Sequence, residues 1–62
     1  MNAVHMVSGG PLGGQELEFA DGVALAQVDG AKNLAKYELR TSEDEMGNVT
    51  EHAVFVGWVK PL

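Results

Sequence analysis

Hydrophobic and polar residues alternate along most of this chain, and glycine breaks the alternation at short intervals. Leu17 and Phe19 alternate with Glu16 and Glu18, which predicts a half-buried strand over Gln15–Ala20. Asp21-Gly22 follows between apolar flanks and predicts a two-residue hairpin turn, with Gly22 supplying the positive φ. Val23–Val28 is apolar on both faces and reads as a central strand. Asn2–Val7 reads as the first strand, with Val4 and Met6 sharing a face. Over Ala31–Arg40 two periods compete. Ala31, Leu34, Ala35 and Leu39 fit a helix, whereas Ala35, Tyr37 and Leu39 alternate with Lys36, Glu38 and Arg40. Strand is favoured here, with one short helical turn allowed at 31–34. Ser42–Asn48 reads as a polar hairpin tip, and Val49–Val59 as the last and longest strand. The expected fold is all-β: one small domain, residues 1–62, built as a five-stranded antiparallel meander or barrel.

The last strand carries most of the functional information. Ala53, Phe55, Gly57 and Val59 point one way; His52, Val54, Val56 and Trp58 point the other. Two apolar faces require two covers. Either a small barrel curls around both rows, or Val54, Val56 and Trp58 meet another protein, with Tyr37 as a lesser contact. Tryptophan is enriched where interfaces are strongest.

Composition narrows the classes. The chain has 62 residues and is 45% apolar, but seven of the apolar residues are Ala and there is no Ile. A domain this small buries only about 60% of the surface its unfolded chain exposes. Small domains commonly add disulfides, a metal or a partner. There is no Cys, so disulfides and thiolate zinc are excluded. Association is the expected supplement, with copies of itself or a larger assembly. Four Lys+Arg against nine Asp+Glu give a net charge of −5, which argues against binding nucleic acid. No apolar run approaches the roughly 18 residues of a spanning helix, so no membrane partner is expected. Met1–Gly10 lacks the charged and apolar regions of a signal peptide, which predicts a cytoplasmic location. Asn48-Val49-Thr50 is then a chance match to the glycosylation triplet.

Candidate chemistry is sparse. Gly9-Gly10-Pro11-Leu12-Gly13-Gly14 is glycine-rich, but Gln15 and Glu16 stand where a phosphate loop needs Lys and Ser/Thr. Gly9, Gly10, Pro11 and Gly14 therefore read as a structural turn. Glu43, Asp44 and Glu45 form an acidic tip. Aligned as a calcium loop on Gly47, it puts Met46 and Ala53 at ligand positions, so the pattern fails. His5 and His52 would need the first and last strands to meet, with Glu51 as third ligand, before they resembled a metal site. Ser8 and Ser42 lack the nucleophile-elbow context. The carboxylates are too dispersed for a nucleic-acid mimic. No cofactor and no enzymatic activity are expected.

Three features taken in order, Gly9-Gly10-Pro11-Leu12-x-Gly14, the Tyr37-x-Leu39 strand and Phe55-Val56-Gly57-Trp58, resemble a group of short proteins from phages of actinobacteria and their hosts. That group opens with a strand and Gly-Gly-Pro-x-Asp-Gly, and closes with an aromatic-x-Gly strand. This chain departs from it at Gly13, where the group tends to have Asp. The resemblance implies a phage product, either a minor virion part such as a capsid-decorating or head–tail component, or a host-takeover factor. As a virion part it would reside in the virion, or in the host cytoplasm before assembly. As an inhibitor of one host protein it would make contact through Glu43–Glu45.

Overall fold

The computed structural model describes residues 2–61. Five strands follow one another: β1 (Asn2–Met6), β2 (Glu16–Ala20), β3 (Val23–Gln27), β4 (Leu34–Glu43) and β5 (Val49–Val59). They form one antiparallel sheet in the order β1-β2-β3-β4-β5, the expected meander, curled into a half-barrel. A parallel bridge between Val7 and Ala53 brings the end of β1 to β5.

Register assigns the faces. Ala3 pairs with Phe19 and His5 with Leu17, so these four line the concave side, which Val7 continues. Val4 and Met6 share the opposite face, opposite Glu18 and Glu16, and stay exposed. Asp21 and Gly22 both have positive φ, 54° and 80°, which makes the expected hairpin turn type I′. Ala24 pairs with Tyr37 and Ala26 with Ala35, continuing the concave side. The core consists of Val7, Phe19, Ala24, Ala35, Tyr37 and Ala53, with Leu12, Leu17, Val28, Leu39 and Phe55 packed against it. Three of its six members are Ala. Small side chains beside the Tyr37 and Phe19 rings let a tightly curled sheet close around them.

Residues 31–34 contain no helical turn. The Ala31 N–H donates to the Val28 carbonyl at 3.0 Å, closing a β-turn instead. Leu34 then pairs with Gln27 on one side and Val59 on the other. Pairing on two edges outweighs the helix propensity of this segment. The strand also runs further than the sequence suggests. Ser42 pairs with Thr50 and Glu43 with Val49, which shortens the tip to Asp44–Asn48.

Strict alternation fails once, in β5. Lys36 pairs with Gly57 but Tyr37 with Phe55, so Val56 is an extra residue, a β-bulge. Gly57 holds φ at 144°, a conformation side chains disfavour. The bulge shifts every later residue by one position. Trp58 pairs with Ala35 and lies on the Phe55 side, the two rings edge-to-face at 5.6 Å. It therefore does not share a row with Val54, as alternation alone predicts.

Beyond the barrel, β4 and β5 continue as a two-stranded arm. Every residue from Arg40 to His52 is exposed, and the molecule extends 43 Å along its longest axis.

Candidate functional site

Three surfaces arise from this fold: a plug and an exposed rim at one end of the sheet, and the arm at the other. The plug is the glycine-rich loop. Its chain reversal is tied by backbone bonds from Gly14 N–H to Val7 O, 2.8 Å, and from Gln15 N–H to Leu12 O, 3.1 Å. The Tyr37 hydroxyl donates to Gly9 O at 2.9 Å and accepts from Leu12 N–H at 3.1 Å. Gly10 lies so close that a Cβ there would fall 2.5 Å from that hydroxyl and 2.8 Å from Phe55 Cβ. Gly9, Gly10, Pro11 and Gly14 thus belong to a loop that seals the core. Tyr37 is 0% exposed and fully engaged within the chain. That corrects its assignment as a contact residue: the burial follows from its inward position in β4 and from the plug laid over its hydroxyl.

At the same end of the sheet, beside Phe55 on which the plug rests, Trp58 is 45% and Val56 39% exposed, while Val54 is half-buried. Trp58 borders an open recess of about 260 Å³ lined also by Ala31, Lys32 and Asn33. Enclosed small-molecule sites usually span about 300–1,000 Å³.

The arm is ordered by its own tip. Asp44 Oδ1 accepts from the N–H groups of Met46 and Asn48, both at 2.9 Å, and Oδ2 accepts from Asn48 Nδ2 at 3.1 Å. These bonds, the Asn48 N–H foremost, hold the Asp44 carboxyl below the usual carboxylate range. Within the acidic tip, Asp44 is therefore a turn residue, Glu43 ends β4, and Glu45 projects from the loop. A carboxylate with a depressed pKa contributes its full ordering above its unfolded-state pKa and loses it as pH falls through the folded value. Backbone amide shifts of Met46 and Asn48 are expected to stay constant at neutral pH and to move together only in acid, below the usual aspartate range. Asp44→Ala should abolish that titration at both amides; a shared step that survives in the variant would assign it to another group.

His5 and His52 are not brought together as ligands. The His5 Nδ1–H donates to the Met6 carbonyl at 2.8 Å, and its Nε2 lies 3.9 Å from Glu51 Oε1. His52 Nε2 instead meets Ser42 Oγ at 2.9 Å, on the Arg40 side of the arm. Among the described residues, no three His, Asp or Glu side chains group as a metal site. No helix there is long and apolar enough to cross a membrane.

Sequence reasoning missed the plug's anchor and the bulge. The bulge had a local signal, since an isolated glycine inside a strand pattern often marks one. The Tyr37–Gly9 bond spans 28 positions and leaves no local trace. Comparison of the chain with protein-family models, with characterised proteins and with solved structures gives no match.

Proposed function

We propose that this chain is a non-catalytic β module that adds to a larger protein assembly, a minor phage virion protein of the capsid-decorating or head–tail kind. The observation that carries this reading is the exposed rim, where Val56 and Trp58 remain exposed beside the Ala31–Asn33 segment. A buried tryptophan at the centre of an interface is a frequent hot spot. The bulge supports the reading, because it turns Trp58 away from the convex face and sets it on the rim of the barrel. The thin core adds to it: among the described residues only Tyr37, Phe19 and Val7 are large and fully buried. Covering Val56 and Trp58 would supply apolar burial that the monomer lacks.

The test is quantitative mass spectrometry of gradient-purified virions against the soluble fraction of infected cells. The chain should be recovered in virions at constant stoichiometry. Val56→Ser combined with Trp58→Ser should lower that recovery about tenfold, the loss that about 1.4 kcal/mol produces. Recovery confined to the soluble fraction would end the virion assignment.

A further inference from the structure

We propose that the β4 edge of the arm, Arg40–Glu43, accepts a basic extended segment of a partner protein as an added strand. This deepens the assembly reading and rests on it. β3 stops pairing with β4 at Glu38, and one further bond runs from Leu39 N–H to Gly22 O at 2.8 Å. Backbone groups along a strand alternate in direction. Thr41 and Glu43 therefore aim their N–H and C=O to the same side as Leu39, where no strand of the described residues lies. On its other side β4 stays bonded to β5 through Glu43↔Val49. The result is a paired ribbon with a vacant edge, the feature that β-augmentation uses. A two-stranded hairpin alone is marginal in water, and a third strand would stabilise it.

Charge selects the occupant. Asp21 sits in the turn beside the start of this edge, and Glu43 stands at its far end. Glu45 and Glu51 add to the same negative field. The single cation of the arm, Arg40, is drawn to Glu38 at 3.4 Å. Pairing two copies edge to edge would bring these carboxylates together and is disfavoured, because like charges across a strand pair repel. A strand with Lys or Arg at alternate positions is attracted instead. Exposed Val49 at the base of the tip and Met46 on it offer apolar contact beside the charges.

The test titrates isotope-labelled protein at low salt with an acetylated, amidated Lys-Val-Lys-Val-Lys-Val peptide, following backbone amides by NMR. A Glu-Val-Glu-Val-Glu-Val peptide is the control. Shifts should concentrate at residues 39–45 and be at least tenfold weaker with the acidic peptide. Thr41→Pro removes a donor that faces away from β5, and Glu43→Lys reverses the end charge; each should weaken binding at least fivefold. Both sites are exposed and outside the core, and unchanged β1–β3 amide shifts verify folding. Equal binding of both peptides, shifts centred on β1 or on Trp58, or a peptide-free dimer abolished by Thr41→Pro would each overturn the proposal. Virion recovery of the Thr41→Pro protein separates the two claims, since the edge can fail here while the assembly reading stands.

Discussion

Gly10→Ala is expected to lower the Tm by about 15 °C or more, or to abolish cooperative unfolding altogether. Two penalties combine at this one position. Gly10 has φ +69°, where a Cβ costs roughly 1–2 kcal/mol. That Cβ would also meet the Tyr37 hydroxyl at 2.5 Å and Phe55 Cβ at 2.8 Å. Neither neighbour can yield easily, because Tyr37 is buried and hydrogen-bonded and Phe55 packs against it with ring centroids 5.4 Å apart. A single core in a chain this short rarely supplies more than about 3–5 kcal/mol. Each kcal/mol corresponds to about 4–8 °C in a domain of this size. Gly9→Ala is the control. Its φ is similar, +79°, but nothing lies within 4 Å of the added carbon. It should cost only the backbone penalty, so thermal circular dichroism of the pair isolates the steric term. Equal Tm values for the two variants would show that the loop does not rest on Tyr37.

Tyr37→Phe is expected to destabilise by about 2 kcal/mol, or roughly 8–16 °C in Tm. The ring and its packing are kept, so the loss is confined to the hydroxyl. That hydroxyl satisfies Gly9 O and Leu12 N–H, and its removal leaves both without this partner at the core boundary. Hydrogen exchange gives the sharper readout. Leu12 N–H should exchange at least tenfold faster relative to the β3 and β4 amides, and Gly14 N–H, bonded to Val7 O, should follow if the whole loop lifts. Uniform acceleration across the sheet would mean that the hydroxyl stabilises the fold globally without anchoring the plug.

The elements were legible where the signal was local. Leu17 and Phe19 set against Glu16 and Glu18 define β2, and Asp21-Gly22 defines its turn. The two apolar faces of Val23–Val28 match the middle place of β3 in the sheet. Ala31–Arg40 was harder because Ala, Leu, Lys and Glu carry helix propensity, and the strand wins only through partners on both sides, which a local window does not contain. Ser42 and Glu43 looked like tip residues because they are polar, yet an exposed ribbon needs no apolar face and Ser42 bonds across to Thr50 at 3.0 Å. At the candidate surface, the apolar ending of β5 was visible, but alternation placed Trp58 in one row with Val54 and Val56, and the bulge moves it to the Phe55 side. Tyr37 was misread because its burial depends on a loop 25 or more positions away.

The single extra residue in β5 sets the heading of the C-terminal end. Deleting Val56 would restore regular zigzag pairing and still leave the indole two places after Phe55 and opposite Ala35, on the same face. Flattening the bulge with Val56 retained would instead swing the indole to the outer surface, so the backbone of Gly57 at φ 144°, and not the length of the strand, keeps this rim oriented.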